Sequence, residues 1–280
     1  MMTRISDFTN VHTMIGFFVR MFLFVVLKLF SLFQEITGFL RDSFHIQTEQ
    51  SRIRELKDTY KGKRCFVICT GPSLNIDDLE LIKDEYTFAM NSISLLFDKT
   101  DFRPSFYGCI DEGVFEKMKD SIMKYDSPNT KVFISGRLRK YLDSGLPSYW
   151  YNVSCNVAYH TYDRWFRNKF WCKFSDNAVR GTYDMYSVTH FLIQIAAYMG
   201  FSEVYLVGAD CNFPKGGKIH FIEHGIPDTT IDTARERNIC GYEEIRRYTQ
   251  THDLKVYNAT RGGMLETFNR VNLDTLISLR

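Results

Sequence analysis

Net charge is nearly absent: 35 lysines and arginines stand against 33 aspartates and glutamates, a formal balance of +2 over 280 residues. With so small a net charge there is no global electrostatic case for nucleic acid as a partner, and none is expected, a local basic patch aside. Also lacking is any Cys-x-x-Cys pair among the seven cysteines, at 65, 69, 109, 155, 172, 211 and 240. That absence argues against a zinc site and a disulfide frame. Several of the cysteines lie in apolar runs, as small core hydrophobes of a reducing compartment do. Neither a Walker A loop nor the six-residue glycine fingerprint of dinucleotide folds occurs. No internal repeat or low-complexity tract is visible. What is present, 45% hydrophobic and 24% charged residues, makes a globular chain long enough for one large α/β domain and an appendage.

The appendage is residues 1–48, and the domain is expected to run over 49–280. From Met14 to Phe33 the sequence reads MIGFFVRMFLFVVLKLFSLF, about the length that spans a bilayer as a helix. Arg20 and Lys28 interrupt it, and central charges cost roughly 2.5–3.5 kcal/mol each on insertion scales. Eight residues apart on a helix, they lie within about 80° of one another. One basic face against Phe, Leu, Val and Met predicts an amphipathic anchor in the headgroup region of a membrane. The alternatives are a spanning helix or one docked on the body or on a second subunit. No small-residue cleavage site follows the run, which speaks against a removable signal peptide. Residues 40–62, with Arg41, Arg52, Arg54, Lys57 and Lys61, read as a charged, helical linker that anionic lipid would attract.

Beyond the linker, short apolar runs alternate with helix-length segments. Strands are expected at 65–69, 87–91, 105–110, 131–135, 203–208 and 255–257, all of the fully buried type. Ser187–Met199 is the clearest helix, closed by Gly200. Such alternation predicts a Rossmann-like, mostly parallel sheet with helices on both faces. An aromatic-rich insertion at about 140–180 holds Trp150, Trp165 and Trp171 with several basic residues. It reads as an acceptor-binding lid or as a small satellite core.

Ligands of parallel sheets bind beyond the carboxyl ends of the strands. Polar residues or glycine close every predicted strand: Thr70-Gly71-Pro72-Ser73, Asn91-Ser92, Asp111-Glu112, Ser135-Gly136, Asp210-Cys211-Asn212, and Asn258 through Arg261 to Gly263. Taken singly these are helix caps. Together they predict one cleft suited to ribose, a base edge and phosphate. The first set forms a strand-to-helix turn that offers backbone N–H groups to an anion, with Asn75 to Lys83 as the helix. After Asp210 a loop carries His220 and His224, four apart and on one side in either helix or strand. Acid–base catalysis, structural hydrogen bonding and metal binding all suit such a pair. The glutamate placement of the zinc-protease motif is missing, and no metal site is expected.

Thr70-Gly71-Pro72-Ser73-Leu74, Met90-Asn91-Ser92, the unit from Gly200 to Asp210 and His220-Phe221-Ile222-Glu223-His224 resemble, in that order, the bacterial CMP-sialic-acid-dependent sialyltransferases of the Campylobacter type. Through Ser187-Val188-Thr189-His190 and Asn258-Ala259-Thr260-Arg261-Gly262-Gly263 the chain is equally similar to the family of archaeal 6-hydroxymethyl-dihydropterin pyrophosphokinases. The similarity covers roughly residues 60–275 and is poor over 140–180.

The sialyltransferase resemblance implies that the Gly-Pro-Ser turn and Asn91 hold the CMP part of a donor. His224 would be the general base with His220 beside it, and Ser187 would be close to the donor. Thr70, Asp111, Asp210, Asn212 and Arg261 complete the expected nucleotide site. Two departures bear on the donor: Thr70 stands where that family has asparagine, and no tyrosine pair follows Asp210. Lys215, Lys218 or Arg261 is then expected to neutralise phosphate. The resemblance thus implies a membrane-associated glycosyltransferase on the cytoplasmic face of a bacterial inner membrane. It would take a nucleotide-sugar donor and a glycan or glycolipid acceptor, with no cofactor required. The alternative is an ATP-dependent pyrophosphokinase with Mg²⁺ at Asp111 or Asp210. The sequence leaves the oligomeric state open, a homo-oligomer included.

Overall fold

The structure, a computed structural model, describes residues 14–142, 145–214, 217–223, 225 and 231–278. A long helix, α1 (Met14–Ser43), leads in. After it come β1 (Arg64–Ile68), α2 (Ile76–Leu81), β2 (Thr87–Met90), β3 (Phe106–Cys109), α3 (Glu112–Lys124) and β4 (Lys131–Ser135). The chain continues with β5 (Trp150–Val153), β6 (Cys155–Asn156), α4 (Ala158–Arg167), β7 (Thr182–Tyr183) and α5 (Val188–Tyr198). It closes with β8 (Glu203–Val207), α6 (Ala234–Thr249), β9 (Lys255–Asn258) and α7 (Leu273–Ser278).

Seven strands form one sheet in the order β5-β4-β3-β2-β1-β8-β9, every neighbouring pair parallel. Each central strand is buried on both sides, which is why the runs read as continuously apolar. Along β1 the side chains alternate: Cys65 and Val67 enter one core, Phe66 and Ile68 the other. The first core is roofed by α5 and α6, the second by α2, α3 and α7. The expected doubly covered parallel sheet is therefore the observed architecture.

Three elements differ from expectation. The edge strand β5 lies inside the aromatic-rich stretch, with Trp150 fully buried in the second core. Its polar Asn152, bonded to Glu49 at 3.1 Å, interrupts the apolar run that marks the other strands. Instead of one helix, residues 40–62 hold the end of α1 and a 3₁₀ helix, Glu49–Leu56, started by a capping box between Thr48 and Ser51. The remaining aromatic residues, 155–183, build the two-stranded parallel sheet β6–β7 and α4.

That segment is the seat of α1, and the helix sits on it by its polar side. Lys28 Nζ donates to the Tyr159 carbonyl at 2.8 Å and stands over the Trp171 ring, while Arg20 lies over Phe166. Asn156 donates to Ser31 Oγ at 3.0 Å; Glu35 accepts from Lys173 and Tyr183, each at 3.0 Å. Arg41 reaches the Val179 carbonyl at 2.9 Å, and Asp42 pairs with Arg180 at 2.8 Å. A Cβ on Gly38 would fall 2.1 Å from the Arg180 carbonyl oxygen, so only glycine permits this approach. The expectation that Arg20 and Lys28 face lipid headgroups is thus corrected. The 80° sector is real, but aromatic rings and a carbonyl of the same chain occupy it.

All seven cysteines are free thiols; six are buried and Cys240 is half-buried, with Cys172 Sγ 3.5 Å away. Helix α5 runs as expected from its cap Ser187, with ten of its eleven residues buried. Among them, His190 has its Nδ1 2.5 Å from the Met185 carbonyl and its ring edge-on to Tyr242. Burial lowers its pKa from 6.5 to about 4, so it is neutral in the fold at pH 7. Below pH 6.5 the unfolded chain binds this proton while the folded chain does not. Stability is therefore complete above 6.5 and is lost as the pH falls towards 4, by about 3 kcal/mol in total. Urea unfolding between pH 7 and 4 checks this. His190→Gln is expected to flatten the slope relative to the parent chain.

Candidate functional site

Strand order reverses at β1: the chain steps outward through β2, β3, β4 and β5, then returns to place β8 on the other side of β1. Such a switch point opens a crevice at the carboxyl ends of the two strands. The residues there are Thr70-Gly71-Pro72-Ser73 after β1 and Gly208-Ala209-Asp210 after β8.

The two loops are tied together. The Gly71 N–H donates to the Gly208 carbonyl at 2.9 Å. Asp210, buried, accepts through Oδ2 from Ser73 Oγ at 2.8 Å and from the Ser73 N–H at 3.3 Å. A Cβ on Gly71 would lie 2.1 Å from Asp210 Oδ2 and 2.4 Å from the Gly208 carbonyl oxygen. Glycine is needed there for close approach, not for an unusual φ. Below this junction, Ala209 N–H donates to Thr260 Oγ1 at 2.9 Å and Met264 N–H to the Asp210 carbonyl at 2.6 Å, so the loop after β9 fixes Asp210 from behind.

The turn differs from the open anion cradle expected of it. Helix α2 has only six residues, and Asn75 caps it by accepting from the Asp78 N–H at 2.8 Å. Its first turn carries Asp77 and Asp78, which answer the helix dipole internally. What the turn offers a ligand is its Thr70 side, where the late loop arrives. His220 Nδ1 stands 3.2 Å from Thr70 Oγ1, and Phe221 N–H donates to the Thr70 carbonyl at 2.7 Å. His224, like Lys215, lies outside the described residues.

Neighbouring strand ends add polar groups without partners. Asn91, at φ 47°, closes β2; its buried Oδ1 and the buried Oγ of Ser92 have no hydrogen-bond partner among the described residues. Buried polar atoms are rarely left so unless a ligand or water meets them. Asp111 caps α3, accepting from the Val114 N–H at 2.9 Å, and its side chain is otherwise exposed. Ser187 caps α5, and Thr189 in that first turn stands 3.3 Å from Cys69 Sγ and 3.5 Å from Met90 Sδ, beneath β1 and β2. Burial pushes the Cys69 thiol up to about 12, so it is no nucleophile at neutral pH. Asn212 is exposed on the loop beyond Asp210. Lys218 stands over Phe221.

Arg261 is turned to other work. Its guanidinium meets buried Asp78 at 2.6 Å and Asp274 at 2.7 Å, pinning α7 to α2, and the two carboxylates, Asp274 foremost, hold it above its ordinary pKa range. Removing it would leave Asp78, only 1% exposed, as an uncompensated buried charge. We expect Arg261→Ala to cost about 3 kcal/mol in urea unfolding, with Arg261→Lys recovering part of it.

Arg137 was not singled out by sequence, although the strand end Ser135-Gly136 points to it one residue short. It is exposed at the carboxyl end of β4, where its charge adds to the positive field around Glu112. Among the described residues, no three His, Cys, Asp or Glu side chains converge as a metal site.

A family model, 6-hydroxymethylpterin diphosphokinase MptE-like, matches residues 39–216. No curated protein matches the chain. Among solved structures, the MAf glycosyltransferase from Magnetospirillum magneticum AMB-1 aligns over 81% of this chain at 17% identity and a TM-score of 0.48. The chain spans 38% of that structure's length.

Proposed function

The chain belongs to the family of 6-hydroxymethylpterin diphosphokinase MptE-like proteins, and on that footing we propose that it is a nucleotide-dependent transferase with its site at the β1/β8 crevice. The observation that carries this reading is the junction itself. A histidine loop closes on Thr70 while Asn91 Oδ1 and Ser92 Oγ lie buried on the adjoining strand end, without hydrogen-bond partners among the described residues. Nucleotide contacts are assigned to Thr70, Asn91, Asp111 and Ser187, with Gly71, Ser73 and Asp210 holding the turn in shape. Among the described residues, exposed Arg137 and Lys218 are the cations assigned to phosphate.

The reaction we favour is glycosyl transfer, an acidic sugar moving from a CMP-sugar to a glycan or glycolipid at the cytoplasmic face of a bacterial inner membrane. His224 takes the acceptor hydroxyl proton, the oxygen attacks the anomeric carbon, and the bond from that carbon to the phosphate oxygen breaks. CMP leaves with the bonding pair, its charge balanced by a basic side chain at the crevice. His220 orients the loop through Thr70. The exposed apolar side of α1 favours this over a soluble pterin substrate, which gives no reason for such a surface.

The second reading, favoured by the family's description, is transfer of diphosphate from ATP to a pterin-like alcohol. That chemistry takes Mg²⁺, which binds through one or two carboxylates and substrate phosphates. Asp111 fits, since one oxygen caps α3 and the side chain is otherwise exposed. Asp111 would hold the ion, which would supply charge neutralisation to the transferred phosphates.

A thermal-shift panel of CMP, UDP, and ATP with and without Mg²⁺ separates the readings. CMP at a hundred times its Kd is expected to add about 2.7 kcal/mol of stability. Stabilisation by ATP–Mg²⁺ alone would replace the first reading with the second.

A further inference from the structure

Between residues 17 and 40, α1 exposes thirteen side chains, and every one is apolar: Phe, Leu, Met, Val or Ile. Phe18, Phe22, Leu29 and Phe33 are each more than 60% exposed. All the charged residues of that stretch, Arg20, Lys28 and Glu35, contact the body instead. A helix lying on lipid headgroups by a basic face would be turned the other way. We infer that α1 is an in-plane membrane embedment that stays docked on the protein: its apolar face enters one leaflet while its polar side remains on the 155–183 seat. This rests on the reading that the protein works at a membrane and adds how it meets one.

Length decides against a single span. The polar seam from Arg20 to Asp42 covers 23 residues, about 33 Å of helix, the full thickness of a hydrocarbon core. A spanning α1 would have to break every contact along that seam, or carry Asn156, Lys173 and Arg180 into the hydrocarbon with it. Chemistry favours lipid over a second copy of the chain. Protein interfaces keep roughly a third of their area polar even where they are most apolar, and this face presents no polar atom of a side chain between residues 17 and 40. At the end of α4, next to Phe166 and Arg20, Trp165, Arg167 and Lys169 are exposed, the residue types that settle at headgroup level. The seat also links the carboxyl end of β5 to the start of α5, where Ser187 and Thr189 border the crevice.

Flotation of the full chain with phosphatidylcholine vesicles, together with depth-dependent quenching by brominated lipids, tests this. The parent is expected to float with neutral vesicles in 0.5 M salt, about as well as with anionic ones. Phe22→Glu/Leu29→Glu/Phe33→Glu, exposed positions whose change leaves the melting temperature in place, is expected to float at least tenfold less. Tryptophan at 18, 29 or 40 (Phe18→Trp, Leu29→Trp, Leu40→Trp) is expected to be quenched alike, and best by shallow bromines. Deep quenching confined to Leu29→Trp would overturn the in-plane arrangement while leaving the membrane reading intact. Flotation only with anionic vesicles at low salt would overturn the apolar embedment. No flotation, with the triple glutamate variant turning a dimer into a monomer in solution, would overturn both and assign the face to a second copy.

Discussion

His224→Ala is expected to slow release of CMP from a CMP-sugar by roughly 10²–10⁴-fold, the usual contribution of one placed base. The assignment comes from the match of His220-Phe221-Ile222-Glu223-His224 to the sialyltransferase loop. The structure contributes the position of the loop's first histidine. With Nδ1 facing Thr70 Oγ1 at 3.2 Å, His220 is engaged with the turn, which suits a positioning role better than proton transfer. His220→Ala is therefore expected to raise KM more than it lowers kcat, and Thr70→Val to do the same by removing the hydroxyl. If the large loss in kcat falls on His220 instead, the roles are exchanged. Unchanged turnover in both variants removes this loop from the chemistry.

Gly71→Ala is expected to cost about 3 kcal/mol or more of stability and to abolish nucleotide binding. Overpacking usually costs about 1–3 kcal/mol, because neighbours yield. Here one of the two obstructing atoms, the Gly208 carbonyl oxygen, belongs to the backbone at the end of β8, and the other, Asp210 Oδ2, is buried and holds Ser73. Moving either one parts the two loops of the switch point. Gly62→Ala is the control: φ there is 74° and nothing lies within 4 Å, so only the backbone preference of about 1 kcal/mol is lost. At roughly 2–4 °C per kcal/mol, the two variants should melt several degrees apart. Equal melting temperatures would mean the turn is looser than its hydrogen bonds imply.

The central sheet was legible because burial on both faces leaves a plain mark. Phe-Val-Ile after Cys65 and Tyr-Leu-Val after Val204 have no polar interruption, and β1 and β8 stand where those runs do. β5 was hidden because Trp150-Tyr151-Asn152-Val153 includes an asparagine whose partner, Glu49, is about a hundred residues away in sequence. The crevice was legible by position, since polar residues close every strand, but the bonds within it were not. Nothing in sequence spacing says that Asp210 accepts from Ser73, or that Arg261 is claimed by Asp78 and Asp274. For α1, the spacing of Arg20 and Lys28 located their sector correctly. Which surroundings that sector meets depends on tertiary contacts with Tyr159, Phe166 and Trp171.

The way α1 is seated bears on how the protein can be handled. An investigator wishing for a more soluble preparation would delete the greasy helix and begin near residue 44. That cut removes the partners of Asn156, Lys173, Tyr183 and Arg180 and strips the cover from Tyr159 and Trp171. One sticky surface would be exchanged for another, now with stranded polar groups in it. Replacing the outward phenylalanines while keeping the helix is the sounder route to a tractable sample.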